Sequence, residues 1–274
     1  MSDVSVIILN YCTWQDTLRE IKMINTVCGI DYEDIVVIDN ASPNNSIEML
    51  RKNNHFGFTL IESSQNNGYA TGNNIGLKYA CEHGYKYAWI LNNDVIISNP
   101  NTLSEMKKVF KYDSKVAVVN PDIIRPDGKL YNRDAVRPNF FDLTIGIFTY
   151  RKKGREIVDL GGYCLVYRPQ GCCMLVDIEK IKQIDYLDEN TFLYCEEMIL
   201  AERLLKKDYK CATCLTIKAI HNHSNTVSST LRKKKVCKII NDSFEYYLIT
   251  YRNYNSVCVG ICLLFNYIKW WFLA

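Results

Sequence analysis

The run Val4-Ser5-Val6-Ile7-Ile8-Leu9 is unbroken and largely β-branched. That is the pattern of a strand covered on both faces, as in parallel sheets. A helical stretch from about Asp16 to Val27 follows, and Asp34-Ile35-Val36-Val37-Ile38-Asp39 then supplies a second buried strand that ends in a carboxylate. Together they read as a βαβ unit. Phe58-Thr59-Leu60-Ile61 and Tyr87-Ala88-Trp89-Ile90-Leu91 are two more strand candidates, separated by the Gly-rich turn Asn67–Gly72 and a helix to about Glu82. Strands alternating with helices predict a doubly wound α/β sheet. Ligands of such sheets sit beyond the carboxyl ends of the strands, where both Asp39 and Asp94 fall.

The pattern becomes mixed after about residue 115. Short strand candidates occur at Val116–Val119 and Cys172–Val176, an irregular stretch runs from Arg125 to Gly161, and helices start near Glu196 and Val236. A length of 274 residues with 48% apolar and 23% charged residues suits a folded globular chain, and one large domain is the expectation. With 33 basic against 30 acidic residues the net charge is only +3, so composition makes no case for nucleic-acid binding. The twelve cysteines are scattered, the CxxC at Cys211 and Cys214 has no second pair at zinc-finger spacing, and Met1-Ser2-Asp3 opens without a secretory pattern. Free thiols in a reducing cytoplasm are expected.

Asn92-Asn93-Asp94 follows the apolar run Trp89-Ile90-Leu91 directly, which places a carboxylate and two amides at a strand end. Mg²⁺ or Mn²⁺ bound to a diphosphate typically takes one or two carboxylates plus phosphate oxygens, and Asp94 fits that need. A strand-end Asp that caps a turn gives the same local pattern. Asp39, in Ile38-Asp39-Asn40-Ala41-Ser42, could accept a hydrogen bond from a base N–H or a ribose hydroxyl, or could close an Asx turn ahead of a helix near Asn44. Glu196 and Glu197 open a helical stretch, where acids favour the helix dipole whether or not they react. His221 and His223 flank Asn222, a pair that is more often structural than ligating.

The set Val6-Ile7-Ile8-Leu9-Asn10-Tyr11, Ile38–Ser42, Asn66-Asn67-Gly68-Tyr69-Ala70-Thr71-Gly72-Asn73-Asn74-Ile75-Gly76 and Leu91-Asn92-Asn93-Asp94 resembles the nucleotide-binding half of family 2 glycosyltransferases with the GT-A fold. The resemblance continues through Gly171–Leu175, Phe192–Glu197 with Arg203, His221 and Tyr247–Asn253, and is greatest to rhamnosyltransferase-like enzymes of bacterial surface polysaccharide assembly. It implies a GT-A-type doubly wound mixed sheet flanked by helices, and inverting transfer from a UDP- or dTDP-sugar to a saccharide hydroxyl. It also implies that Asn10, Asp39, Asn67, Gly68, Asn73, Asn93 and Asp94 hold the nucleotide sugar. Asp94, Asn92 and His221 would hold the divalent cation, and Glu197, beside Glu196, would deprotonate the acceptor. Asn92 stands where a strict DxD motif has its first Asp, and an amide is the weaker metal ligand. Glu197 replaces the family's usual Asp, and Ile199 stands where relatives often carry another Asp.

The expected organisation is a catalytic domain over 1–225, with a nucleotide half to about residue 100 and an acceptor half beyond it, then a C-terminal helical, membrane-proximal segment over 226–274. The basic run Arg232-Lys233-Lys234-Lys235 precedes helix-spaced apolar residues from Val236 to Tyr251, and an apolar stretch from Val257 carries Trp270 and Trp271. Asn266 and Lys269 interrupt that stretch, so a clean membrane span is not expected, and the stretch reads either as surface contact with a membrane or as burial inside the enzyme. The expected partners are a nucleotide-sugar donor, a saccharide or lipid-linked acceptor and the inner face of the cell membrane. A nucleotidyltransferase is the rival enzyme, although Leu9–Thr13 lacks its Gly-rich basic loop, and a non-catalytic nucleotide or carbohydrate module is the other rival.

Overall fold

The computed structural model describes residues 2–131, 133–147, 157–222 and 233–273. His223, Arg232 and the expected boundary after residue 225 lie outside the described residues, as do the side chains of Lys233, Lys234, Trp270 and Trp271. In chain order the elements begin with β1 (Val4–Asn10), α1 (Trp14–Cys28), β2 (Ile35–Asp39), α2 (Ser46–Lys52), β3 (Thr59–Glu62), α3 (Tyr69–Glu82), β4 (Tyr87–Asn92), β5 (Val95–Ile97) and α4 (Thr102–Tyr112). They continue with β6 (Val116–Ile124), β7 (Tyr163–Val166), β8 (Cys173–Asp177), α5 (Ile178–Gln183), α6 (Glu196–Leu205), β9 (Lys210–His221), α7 (Lys233–Thr250) and α8 (Ser256–Leu273).

All these strands join one sheet in the order β3-β2-β1-β4-β8-β6-β9-β5, with β7 against β9. The first four strands are mutually parallel, as the buried runs predict, and β8 continues from β4 antiparallel, so the sheet is mixed. Successive residues of β1 serve opposite faces. Val6 and Ile8 join a core with Ile21 and Ile24 of α1 and Met106 of α4, whereas Ile7 joins Leu77 of α3 and Leu200 of α6. Both faces are therefore covered, which is why β1 tolerates no polar alternation. Cys211 and Cys214 of β9 fall into those two opposite cores, so the CxxC does not converge on one site.

Two expectations shift. The second strand begins at Ile35, because Tyr32–Asp34 forms a short 3-10 turn in which buried Asp34 accepts a hydrogen bond from the Tyr85 hydroxyl at 2.9 Å. The strand at Val116 runs to Ile124, five residues beyond the predicted end, because Asp122, Ile123 and Ile124 pair with Lys218, Ala219 and Ile220 after a register shift. A third apolar cluster joins Cys195 and Ile199 of the α6 region to Phe244, Tyr247 and Leu248 of α7 and Val259 and Cys262 of α8. The C-terminal helices thus share a core with the start of α6.

Candidate active site

The chain passes from β1 to β2 and β3 on one side and then returns to place β4 on the other side of β1. This reversal opens a crevice beyond the carboxyl ends of β1 and β4, the place where open α/β sheets hold ligands. Register puts Asn10 opposite Asp39 and Leu9 opposite Asn92, so the strand-end residues gather at one edge. Asn10 is fully buried and acts as a hub. Its amide donates to Asp39 Oδ2 at 2.7 Å, and its carbonyl oxygen accepts from Thr17 Oγ1 at 2.8 Å. Asn93 donates to the hydroxyls of both Thr13 and Thr17 at 2.8 Å, which ties the strand-end loop to the start of α1.

Asp39 closes the Asx turn that its neighbours suggest. Oδ1 accepts from the Ser42 N–H at 2.9 Å, and Oδ2 accepts from the Ser42 hydroxyl at 2.8 Å in addition to Asn10. A carboxylate offers about four acceptor positions, so one remains for a ligand N–H or hydroxyl. The Gly-rich turn lies next to it, with Asn40 donating to Asn66 Oδ1 at 2.9 Å and to the Gly68 carbonyl at 3.2 Å. Gly68 has φ +96, and a Cβ there would sit 1.9 Å from the Phe192 carbonyl oxygen, so only glycine permits this approach. Asn67 is exposed, whereas Asn73 is buried on α3 with its amide bound to the Tyr69 carbonyl at 2.9 Å.

Asp94 lies two residues beyond β4 and immediately before β5. The pairing of Val95 with His221 brings the histidine across to it, so that His221 Nε2 is 3.2 Å from Asp94 Oδ1. The Asn222 N–H also donates to the Asp94 carbonyl at 2.9 Å. Both side chains are largely buried at the crevice. A carboxylate and an imidazole this close could serve as two adjacent cation ligands, with positions left for phosphate oxygens and water. No group of three or more His, Cys, Asp or Glu side chains suited to a metal occurs among the described residues, so a cation here would depend on its ligand for further coordination.

The acid pair reaches the same crevice through a short relay. The Asn92 N–H donates to the Cys172 carbonyl at 2.9 Å, the next residue back, Gly171, directs its N–H to Glu197 Oε1 at 3.3 Å, and the Tyr69 hydroxyl donates to the Gly171 carbonyl at 2.6 Å. A Cβ on Gly171 would meet Glu197 Oε1 at 2.6 Å, so a side chain at this position would displace the glutamate. Burial pushes the Cys172 thiol up, and the charges of Asp94 and Glu197 add to the shift. Tyr194 and Cys195, at φ 75 and 67, turn the chain sharply into α6 and set the two glutamates at its first turn. Glu196 is buried, and one of its carboxyl oxygens has no hydrogen-bond partner. Burial, and then the charge of Glu197, push its carboxyl up to about 8.

Sequence reasoning left several residues of this region unread. Thr13 and Thr17 order the strand ends, yet a threonine at a helix start carries no distinctive signal. Glu20, on α1, is buried beneath the crevice with one unpartnered carboxyl oxygen, and burial followed by the nearby Asp94 charge holds its carboxyl well above the usual range. Its place on the same helix face as Ile24, beside Ile21, gave the only available hint.

The glycosyl transferase family 2 model matches residues 5–173 of the chain. The low-salt glycan biosynthesis hexosyltransferase Agl10 of Haloferax volcanii is 26% identical over 222 residues, covering 81% of this chain and 68% of that protein. The mannosyltransferase PcManGT from Pyrobaculum calidifontis, in complex with GDP-Man and Mn²⁺, aligns with a TM-score of 0.61 at 14% identity over 98% of this chain and 69% of its own. GalNAc-T7, in a crystal structure with UDP, GalNAc and Mn²⁺, aligns with a TM-score of 0.59 at 14% identity over 80% of this chain. The chain spans only 44% of that structure. At these identities the structural likeness is one of fold.

Proposed function

Since the chain belongs to glycosyl transferase family 2 and is a glycosyltransferase, we propose that it moves a sugar, with inversion, from a UDP- or dTDP-sugar to a saccharide hydroxyl in the crevice beyond β1 and β4. The observation that carries this reading is the convergence of the Asp94–His221 pair and Glu197 on one region through Asn92, Cys172 and Gly171. Family membership and the hexosyltransferase relative support sugar transfer over nucleotidyl transfer or a binding-only module.

The remaining acceptor position of Asp39 suits a base with a ring N–H, as uracil and thymine have. Asn10, Asn93, Gly68 and Asn73 shape the walls around the nucleotide sugar, and Asn67 lies at the exposed rim. Asp94 and His221, with Asn92 at the strand end, would hold Mg²⁺ or Mn²⁺ together with the donor diphosphate. The two close, largely buried ligands fit that group, and the cation would neutralise the diphosphate as it departs. Glu197 takes the proton of the acceptor hydroxyl as its oxygen bonds to the anomeric carbon and the bond to the diphosphate breaks. The Gly171 N–H holds Glu197 in place. Positioning of this kind supplies much of the acceleration in displacement reactions.

We further propose that the acceptor is lipid-linked, that the enzyme serves surface polysaccharide assembly in the manner of the rhamnosyltransferase-like enzymes, and that it works peripherally at the inner face of the cell membrane. In support, the Haloferax relative acts in glycan biosynthesis and α8 presents apolar side chains to its surroundings. The test is turnover of UDP- and dTDP-sugars with Mn²⁺ or Mg²⁺ by the wild-type chain and by Asp94→Ala. Transfer should disappear in the variant, and Mn²⁺-dependent binding of the nucleoside diphosphate should weaken at least about tenfold, as loss of a charged metal ligand predicts. Normal turnover by folded Asp94→Ala protein overturns the assignment.

A further inference from the structure

A second cleft of about 500 Å³ opens on the flank of α3, between the loop that leads to the acid pair and the outer side of α7. Its floor is built rather than incidental. Asp188 accepts hydrogen bonds from the hydroxyls of Tyr246, at 2.9 Å, and Tyr251, and its other oxygen accepts from the main-chain and side-chain nitrogens of Asn190 at 2.9 and 2.7 Å. Asn74 of α3 locks the loop with a donated bond to Leu187 O at 2.8 Å, an accepted bond from Leu187 N at 2.9 Å and a donated bond to Glu189 Oε1 at 2.7 Å. The loop conformation is therefore set before any ligand arrives.

Charge narrows the ligand. Three carboxylates, Asp185, Asp188 and Glu189, face two cations, Lys78 and Arg203, and Arg203 already serves the Ile184 and Asp185 carbonyls. A phosphate or nucleotide would meet net repulsion there. A neutral polyhydroxyl molecule, by contrast, can donate to Asp185 and Glu189 and accept from Lys78, the kind of placed polar groups that fix a small molecule in a site.

Position connects the cleft to the chemistry. Asn74 is five residues along α3 from Tyr69, about 7.5 Å at the helical rise. Tyr69 in turn bonds Gly171, the residue that holds Glu197. The chain itself runs from Asp188 to Glu197 across Phe192, an aromatic side chain that is 43% exposed while its carbonyl is fixed by the Tyr69 N–H at 3.0 Å. Phe192 thus lies on the segment between the cleft-lining loop and the proposed base, and its exposed ring is of a kind that can stack on a sugar.

We propose that this cleft, together with Phe192 farther along the same loop, binds the inner sugar units of an oligosaccharide acceptor whose terminal hydroxyl faces Glu197. The proposal rests on the transferase reading above and specifies its acceptor as a chain of several sugars rather than a single one. The probes are neutral methyl glycosides of glucose, mannose and rhamnose, as monosaccharides and as tetrasaccharides. Saturation-transfer NMR reads their binding to the full-length chain without any need for turnover, and donor hydrolysis is measured separately. The variants are the exposed positions Asn190→Ala and Phe192→Ala, with Tyr246→Phe as a milder third. Tetrasaccharide binding by at least one series should weaken about tenfold in the first two variants, the scale of one or two lost contacts, while monosaccharide binding, donor KM and donor hydrolysis stay unchanged. Where a tetrasaccharide is glycosylated, its KM should rise and kcat should hold. Equal loss for short and long saccharides, or no tetrasaccharide binding by a wild-type chain that still consumes donor, overturns the cleft and leaves the transferase reading intact. Absence of donor turnover counts against that reading instead, and the NMR result still decides the cleft.

Discussion

Glu196 and Glu197 are adjacent in sequence and unequal in surroundings. Glu197 is half-buried, holds the Gly171 N–H and lies within electrostatic reach of Arg168, whose guanidinium pairs with Asp134. Glu196 has neither that N–H nor a cation, and Tyr69, Tyr194 and Cys195 around it add no positive charge. The proposed division of roles follows this asymmetry, with Glu197 as the proton acceptor and Glu196, its carboxyl pushed up to about 8 by burial and the charge of Glu197, as a neighbour that holds its proton near neutral pH. Stability follows from the same asymmetry. Because the native state holds this proton and the unfolded chain releases it above about pH 4.5, Glu196 should make the protein less stable as pH rises from about 5 to 8, by up to ~1.4 kcal/mol per unit. Glu196→Gln should remove that slope and retain transfer, whereas Glu197→Gln should keep donor affinity and lose transfer by at least about a hundredfold. Urea titrations across that pH range and steady-state rates check both, and a dead Glu196→Gln enzyme with an active Glu197→Gln one would reverse the assignment. The sequence pattern drew attention to both acids. It could not rank them by environment, because burial and the approach of Gly171 and Arg168 are set by distant chain segments.

At the scale of elements, α6 is held to α7 by a buried polar cluster centred on Glu202. Arg137 donates to both of its oxygens at 2.7 Å, and the Tyr167 hydroxyl donates to one of them at 2.7 Å. Tyr167 also meets the Tyr247 hydroxyl at 2.9 Å, Arg252 donates to Tyr247 at 2.8 Å, and the Arg252 Nε lies 3.8 Å from Glu202. A carboxylate this enclosed is favourable only because its partners are complete. Glu202→Ala would leave Arg252, whose side chain is only 7% exposed, without its counter-charge, and should cost about 3–5 kcal/mol in urea unfolding. A cost below about 1 kcal/mol would mean that the cluster is dispensable. Its members come from four separate segments, so no periodicity in the chain announces it. The long buried strands β1, β2 and β4 were legible because their apolar runs are local. The three residues of β5, with Ile96 exposed between buried Val95 and Ile97, and the four of β7 carry too little pattern to be seen before their pairing with β9 is known. No local pattern joins Asp94 to His221 either; the family resemblance alone paired them in the sequence, and the β5–β9 register is what brings them into contact.

For the whole molecule, the question is what the C-terminal hairpin faces. One side of α8 is committed inward, with Val259 and Cys262 buried against α6, α7 and Leu143. The other side carries Val257, Ile261, Leu264 and Tyr267 exposed at helical spacing, an apolar stripe parallel to the helix axis. No helix among the described residues is long and apolar enough to cross a membrane, so the stripe can at most lie on one. Lys238 of α7 is 79% exposed and sits in the basic start of that helix, and each such charge near an anionic surface adds about 1 kcal/mol. Shallow apolar insertion and electrostatic attraction are each weak, and their sum suffices for reversible binding. The chain should therefore co-sediment with vesicles containing phosphatidylserine, and bind them less at high salt, where screening removes the charge contribution. Val257→Ser with Leu264→Ser should reduce vesicle binding by at least about tenfold, since each side chain gives up roughly half of the ~1.5–3 kcal/mol that full burial supplies. Because both positions are exposed in the folded chain, stability should change by no more than about 0.5 kcal/mol, and transfer to a soluble saccharide should persist while transfer to a lipid-linked one declines. Vesicle binding that is equal in the two proteins and insensitive to salt would assign the stripe to contact with another protein surface rather than to lipid.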